Sequence, residues 1–182
     1  MARQKVVLTY EDYLKLPDNG TRKEILGGEL FVTPAPTPRH QDVVGTLFVA
    51  LRTHTDARRL GRVFSSPIDV VLGPTDVVQP DIVFIAERRR NIIGEAAIHG
   101  APDLVVEVLS PGTAPIDRGR KMQAYARATV PEYWIVDPDA RAIEVYALKG
   151  GTYQLVARAD RGTWTPTLFP GLTIALDTLW GN

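Results

Sequence analysis

The sequence is organised around Leu104-Val105-Val106-Glu107-Val108-Leu109, an apolar run interrupted by a single charge. A strand with this pattern is buried on both faces and lies at the centre of a sheet. Burying the Glu107 carboxylate without a partner would cost several kcal/mol or force it to take up a proton. A metal ion is one candidate for compensation. The alternatives are an Arg partner or a position where the strand emerges at the sheet edge.

The segments on either side predict helices interspersed with a central sheet, which is an α/β or α+β domain. Helices are expected at 10–16, 40–59 (closed by Gly61) and 117–128. Strands are expected at 103–109, 133–136, 142–148, 153–157, twice within 23–32 around Gly27-Gly28, and as an antiparallel pair at 63–72 and 77–85. A chain of 182 residues is long enough for one domain and short for two, so 1–182 is expected to be a single domain.

Composition excludes several classes of protein. Lys+Arg and Asp+Glu both number 21, which argues against a surface that binds nucleic acid everywhere but leaves a local basic groove open. The absence of Cys excludes disulfides, thiolate zinc sites and Cys nucleophiles. The three His show no metal-ligand spacing, and no Gly-x-Ser-x-Gly elbow or phosphate-binding loop occurs. With no signal peptide and no apolar run near the ~18 residues that span a bilayer, we expect a cytoplasmic protein without a membrane partner.

Asp81 is a second lone acid, directly after Pro80 in the apolar stretch 77–85. If its strand lies beside that of Glu107, the two carboxylates can converge on one hard cation. Mg²⁺ is typically held by one or two carboxylates together with waters and substrate phosphate. Asp103 shares a strand face with Glu107, but four residues at ~3.3 Å each separate them by roughly 13 Å. Asp103 is therefore expected to mark only the strand entrance.

Lys121 lies early on the helix expected after the Glu107 strand, with Tyr125 and Ala128 on the same helix face. A lysine there could return to the carboxylates, where it would stabilise a phosphate in the transition state or orient the attacking water. The alternative is an ordinary ion pair with Asp117 on a solvated helix.

Seven short motifs follow one another along almost the whole chain. They are Glu24-Ile25-Leu26-Gly27-Gly28-Glu29-Leu30, Pro36-x-x-x-His40, Pro80-Asp81, Glu107-Val108-Leu109-Ser110-Pro111, Asp117-x-x-x-Lys121-x-x-x-Tyr125, Val130-Pro131-Glu132-Tyr133-Trp134-Ile135-Val136-Asp137-Pro138 and Phe169-Pro170-Gly171-Leu172. Together this ordered series resembles the Uma-type putative restriction endonucleases, a family of the PD-(D/E)XK nuclease superfamily.

The resemblance implies a restriction-endonuclease-like fold, in which a mixed central sheet is flanked by helices and carries its acids at one edge. Asp81 matches the family's motif aspartate, and Glu107 matches its second metal-binding acid. The superfamily pattern would place its lysine two residues after that acid, where Leu109 stands here. In this family the lysine lies on the next helix, and Lys121 matches it.

Two upstream residues also match. Glu24 corresponds to the acid of the early motif and could assist with the metal or a water. His40 matches the family's early histidine, and a polar cap at the helix N-terminus is the alternative role for it.

The function implied by the resemblance is a Mg²⁺- or Mn²⁺-dependent endonuclease that hydrolyses phosphodiester bonds in duplex or branched DNA. Asp81 and Glu107 would bind the metal, a water activated by the metal would attack phosphorus, and Lys121 would offset the developing charge. Five arginines could contact phosphates: Arg88, Arg89, Arg90, Arg118 and Arg120. A solvated basic surface explains each of them equally well.

Two other functions compete with this one. A catalytically idle nuclease-like fold could act as a nucleic-acid-binding or assembly module, which the isoelectric point of about 6.8 favours and the intact acids and lysine disfavour. A metal-free hydrolase with two carboxylates, such as a glycosidase, lacks an aromatic platform near those acids. A homodimer is compatible with duplex cleavage, which commonly needs two sites, but no interface can be identified in the sequence.

The geometry expected of the site is specific. Asp81 and Glu107 should lie on adjacent strands with carboxylates roughly 4–6 Å apart. Burial and mutual repulsion should raise the pKa of one or both acids. The ammonium of Lys121 should lie within reach of both, with Arg118 and Arg120 pointing away.

Overall fold

Two β-sheets form the framework of the protein, whose computed structural model describes residues 6–181. The larger sheet contains β3 (Gly61–Ser65), β6 (Ile82–Ala86), β8 (Leu104–Val108), β9 (Glu132–Asp137), β10 (Ala142–Lys149) and β11 (Thr152–Ala159). Their order is β11-β10-β9-β8-β6-β3. Strand β8 is interior and buried along its whole length, as its apolar run predicts. It pairs parallel with β9 and antiparallel with β6, so the sheet is mixed.

The smaller sheet has five strands in the order β2-β1-β5-β4-β7. They are β1 (Arg22–Leu26), β2 (Glu29–Thr33), β4 (Val70–Gly73), β5 (Asp76–Val78) and β7 (Ile98–His99). The hairpin of β1 and β2 turns at Gly27 and Gly28 as predicted, and both glycines have the positive φ that this turn requires. Strands β12 (Thr163–Trp164) and β13 (Ile174–Ala175) form a separate two-stranded ladder.

The helices pack against the two sheets. The helices are α1 (Tyr10–Tyr13), α2 (Pro38–Arg58), α3 (Ala114–Ile116), α4 (Met122–Arg127) and α5 (Leu176–Leu179), with a π-helical segment at Asp117–Lys121 between α3 and α4 and a 3₁₀ turn at Glu87–Ile92. Helix α1 lies on the small sheet. Helices α2 and α5 share one core cluster with the face of β8 that carries Val106. Helix α4 and the small sheet share a second cluster with the opposite face, which carries Val105. Glu107 follows Val105 at the two-residue period of a strand, so it belongs to that second face.

The expected antiparallel pairing of 63–72 with 77–85 is confirmed, but it forms two ladders rather than one. Each stretch is divided between the two sheets, because β3 pairs with β6 in the large sheet whereas β4 pairs with β5 in the small one. The divisions fall near Pro67 and Pro80, since a proline has no N–H to donate to a ladder. The break at Pro80 places Asp81 directly before the first residue of β6.

The sequence predicts that Gly61 terminates α2, but another residue caps this helix. Its C-cap is Arg59, which has a left-handed φ of 54°. Gly61 instead begins β3, where a Cβ would lie 2.0 Å from the carbonyl oxygen of Ile85. The glycine therefore serves the close approach of β3 to β6.

Two further predictions concern a signal peptide and a membrane-spanning helix. The expected absence of a signal peptide depends on the chain start, and its first five residues lie outside the described part. Within residues 6–181, no helix has the length and apolar character needed to cross a bilayer.

Arg59→Gly should stabilise the protein by about 0.5–1 kcal/mol, because glycine adopts the left-handed conformation without the steric cost that a side chain incurs. The free energy of unfolding in urea measures the change. Arg58→Gly is the matched control, since residue 58 is helical and glycine there should cost about 1 kcal/mol. Equal losses in both variants would contradict the assignment of Arg59 as the cap.

Candidate active site

Asp81 and Glu107 face one another across two adjacent strands. The antiparallel ladder of β6 and β8 ends with Ile82 opposite Val106, and Asp81 and Glu107 are the residues directly beyond this last pair. Residues opposite each other in an antiparallel ladder project from the same face, and both side chains line a cavity of about 170 Å³. The two strands are adjacent as expected, with Glu107 in β8 and Asp81 directly before β6.

The Asp81 carboxylate is held by three donors. Its Oδ2 accepts from the backbone N–H of Val108 at 2.8 Å and lies 3.1 Å from Nε2 of His40, while its Oδ1 accepts from Arg22 at 3.1 Å. Burial disfavours the charged form, but the His40 hydrogen bond and the Arg22 charge outweigh it and lower the pKa of Asp81. Of the two acids, Asp81 therefore stays ionised in the free protein.

His40 approaches this carboxylate from the first turn of α2. The alternative role as a helix cap belongs to Thr37, whose hydroxyl accepts from the His40 N–H at 3.2 Å. Burial opposes a charge on the ring, but the contact with Asp81 prevails and raises the pKa of His40. The contact of Nε2 with Oδ2 fixes the orientation of the Asp81 carboxylate.

Lys121 is buried beside Glu107, with only 4% of its side chain exposed. Its Nζ lies 2.9 Å from Oε1 of Glu107, 2.9 Å from Oε1 of Glu24 and 3.7 Å from Oδ1 of Asp117. Burial opposes the charge, but Glu107 and Glu24 outweigh it and raise the pKa of Lys121, so the ammonium is permanently charged. The alternative of a solvated pair with Asp117 is wrong.

The helical segment also presents Tyr125 to the site. Its hydroxyl donates to Oε1 of Glu107 at 2.6 Å, the same oxygen that Lys121 contacts. Ala128, expected on the same inward stripe, is only half-buried. Arg118 and Arg120 point away as expected, because both are exposed and pair with Glu144 and Glu29.

Glu107 is the acid whose pKa is raised. Burial disfavours its charge more than Lys121 favours it, and repulsion from Asp117 and Asp81 adds to the effect, so the pKa rises from 4.5 to about 8. No described residue donates a hydrogen bond to its Oε2. Without a further cation, Glu107 is largely protonated at neutral pH.

Glu24 lies behind Lys121 rather than on the cavity wall. It comes from β1 of the small sheet, and its Oε1 accepts from the backbone N–H of Gln79 at 2.7 Å while contacting Lys121. Because Glu24 does not line the cavity, it acts as a positioning residue that holds the ammonium of Lys121.

Arg22 is a site residue that the sequence reasoning missed. It lines the same cavity and binds Asp81, and its pKa is raised because the neighbouring carboxylates, Asp81 first, outweigh burial. The available signal was its spacing, since Arg22 and Glu24 stand two residues apart and share one face of β1.

The expected Arg88, Arg89 and Arg90 are not brought to the site. They lie in the 3₁₀ turn after β6, whereas Asp81 precedes that five-residue strand, so roughly 17 Å of strand separates them. Arg88 and Arg89 pair with Asp103, whose carboxylate also accepts from the N–H of Ala86 at 2.9 Å. Asp103 marks the far end of β8, as expected.

The donor set fits a divalent cation completed by water and substrate. Four buried carboxylates (Glu24, Asp81, Glu107 and Asp117) lie close to the side chains of Arg22, His40 and Lys121. Burial, together with repulsion from Asp117 and Asp81, keeps Glu107 protonated in the free protein. Its Oε2, which accepts no hydrogen bond from a described residue, can accept a metal. Among residues 6–181 no group of three His, Asp or Glu side chains that could hold a metal ion occurs. The pair of Asp81 and Glu107 matches the one or two carboxylates that Mg²⁺ typically uses.

The fold and the facing acids define a restriction-endonuclease-like protein. The chain matches the Uma2 family, described as "Putative restriction endonuclease", over residues 10–177, and it belongs to that family. An uncharacterized protein of Synechocystis sp. (strain ATCC 27184 / PCC 6803 / Kazusa) is 26% identical over 149 residues, which cover 79% of this chain and 82% of that protein. The crystal structure of a putative nuclease belonging to DUF820 from Anabaena variabilis superposes with a TM-score of 0.78 at 20% identity, covering 95% of this chain and 97% of that one. The predicted fold and family are thus confirmed.

Lys121→Met should lower the free energy of unfolding by about 3 kcal/mol, because it leaves buried carboxylates without their cation. The double variant Lys121→Met/Glu107→Gln should recover part of this loss. Urea denaturation measures both, with Lys149→Met at an exposed position as the control. If Lys121→Met unfolds no more easily than that control, Lys121 does not stabilise the two sheets.

The stability of the metal-free protein should fall as pH rises from 5 to 8. The folded state keeps a proton on Glu107 up to about pH 8, whereas the unfolded chain releases it near 4.5, so rising pH favours unfolding across that window. Glu107→Gln should flatten the slope in EDTA, and Glu95→Gln, at an exposed position, should not. Identical slopes in all three proteins would contradict a raised pKa for Glu107.

Proposed function

We propose that this protein is a metal-dependent endonuclease that hydrolyses phosphodiester bonds in DNA. The observation that carries the proposal is the pair of facing acids, Asp81 and Glu107, on the wall of one cavity with a permanently charged Lys121 against Glu107. The family description and the nuclease named in the structural comparison support the same reaction class.

Asp81 and Glu107 are the residues that would hold Mg²⁺ or Mn²⁺. When bound, such an ion polarises phosphoryl oxygens and lowers the pKa of water, which supplies a nucleophile at neutral pH. His40 and the Val108 N–H both engage Oδ2 of Asp81, while Lys121 and Tyr125 both engage Oε1 of Glu107. These contacts fix the two carboxylates in place and leave Oε2 of Glu107 for a ligand.

Lys121 and Arg22 are the groups that would receive the phosphate. Both line the cavity and both remain charged. A preorganised ammonium offsets negative charge that develops on phosphoryl oxygens without further reorganisation, and a guanidinium can bind two such oxygens at once. Glu24 keeps the ammonium of Lys121 directed to this point through its 2.9 Å contact.

Wild-type protein should nick supercoiled plasmid in Mg²⁺ or Mn²⁺ and not in EDTA. Asp81→Asn and Glu107→Gln should each slow cleavage by at least about 100-fold, since each removes a charge that the transition state needs. Asp103→Asn, a buried acid at the far end of β8, is the control and should cleave normally. Gel assays with folded variants, verified by circular dichroism, measure the rates.

Calorimetric titration with Mn²⁺ separates the competing functions. Divalent binding that Glu107→Gln abolishes supports the metal site. Binding without cleavage of plasmid, single-stranded or branched DNA would favour the binding or assembly module, and no binding would overturn the metal-dependent mechanism.

A further inference from the structure

A second, larger cavity of about 620 Å³ adjoins the candidate active site. It lies between the segment from α1 to β1 and the two sheets, and it shares Arg22, Pro36 and Asp81 with the smaller cavity. The two spaces therefore meet at the Arg22–Asp81 ion pair. Its volume lies within the ~300–1,000 Å³ typical of pockets that enclose a small ligand, yet the hydrolysis described above makes no use of it.

Three side chains on its wall hold one another in a fixed arrangement. Oδ1 of Asp69 accepts from the Tyr13 hydroxyl at 2.8 Å and from Nε2 of Gln79 at 2.8 Å, and the same Nε2 lies 3.3 Å from the Tyr13 hydroxyl. These contacts occupy Oδ1 only. The described part of the chain supplies no hydrogen bond to Oδ2 of Asp69, which leaves an oriented acceptor beside the Tyr13 ring.

The free carboxylate oxygen of Asp69 favours a ligand that donates a hydrogen bond over a second phosphate. A carboxylate in the wall repels a phosphate but accepts from the exocyclic amino group of a base, as Asp and Glu do with cytosine N4. Aromatic rings such as Tyr13 provide a surface on which any base can stack. A ligand that combines a flat ring, an amino group and a covalently attached phosphate next to Arg22 is a nucleotide.

We propose that this cavity receives one unstacked, amino-bearing nucleobase from the nucleotide beside the scissile phosphodiester. The inference rests on the proposed nuclease function and names its substrate class. A base inside an intact duplex is paired and stacked, so entering the cavity would require flipping it out at the cost of that stacking. The substrate is therefore single-stranded or locally unpaired nucleic acid, such as a flap or a branch, in preference to a continuous duplex.

Equilibrium binding in EDTA tests the subsite without requiring cleavage. Fluorescence anisotropy with fluorescein-labelled twelve-nucleotide probes should show oligodeoxycytidine binding about tenfold more tightly than oligothymidine and more tightly than a duplex of equal length. Oligomers of N4,N4-dimethylcytosine, which lack the amino hydrogens, should bind about as weakly as oligothymidine. Because these three probes use the wild-type protein, they do not depend on any variant folding.

Asp69→Asn is the matched variant. Its amide oxygen can still accept from Tyr13 and Gln79, while an NH₂ donor replaces the free acceptor, so the preference for cytidine over thymidine should vanish or reverse. Asp18→Asn, an exposed acid on the rim of the same cavity, should keep the preference.

The outcomes separate this inference from the proposed hydrolysis. A cytidine preference that Asp69→Asn removes supports the subsite even if no metal condition yields cleavage, in which case only the nuclease proposal fails. Equal affinity for the three oligomers, or an unchanged preference in Asp69→Asn, overturns the subsite even if the wild-type protein cleaves plasmid.

Discussion

The buried ammonium of Lys121 joins three separate parts of the protein at the site. Glu24 belongs to the small sheet, Glu107 to the large sheet, and Lys121 to the π-helical segment that follows β8. A strongly hydrated ammonium is costly to bury unless several acceptors replace its water. The positions of the three elements are therefore coupled, since moving any one of them would leave a charge without its partner. The same contacts that hold the sheets together also determine which oxygen of Glu107 faces the cavity.

The parts of the site that the sequence predicts correctly are those that depend on local patterns. Glu107 and Asp81 stand out because each is a lone acid in an apolar run, and burial in a strand follows from that run alone. The inward face of the helix follows from the four-residue spacing of Lys121 and Tyr125. The hairpin at Gly27 and Gly28 follows from turn chemistry.

The parts that the sequence does not give depend on contacts between distant segments. Whether 63–72 and 77–85 form one ladder or two depends on which strands flank them, and the apolar pattern does not specify those neighbours. The pKa of Asp81 falls rather than rises because Arg22 and His40, 59 and 41 residues away in the chain, converge on it. Gly61 does not cap α2 because it lies in β3, where the close approach of β6 leaves no room for a side chain. Predicting this role requires knowing that β3 pairs with β6.

The short connection Gln79-Pro80-Asp81 links the two sheets, and its length is constrained by the contacts at both of its ends. Gln79 contacts Glu24 through its N–H, and Asp81 contacts the large sheet through the N–H of Val108, so both ends of the connection are tied to different ladders. Side chains alternate faces along a strand, so one inserted or deleted residue would exchange the faces of Asp81 and its neighbours. A change in the length of this connection would therefore separate the two acids while leaving the apolar cores of both sheets intact.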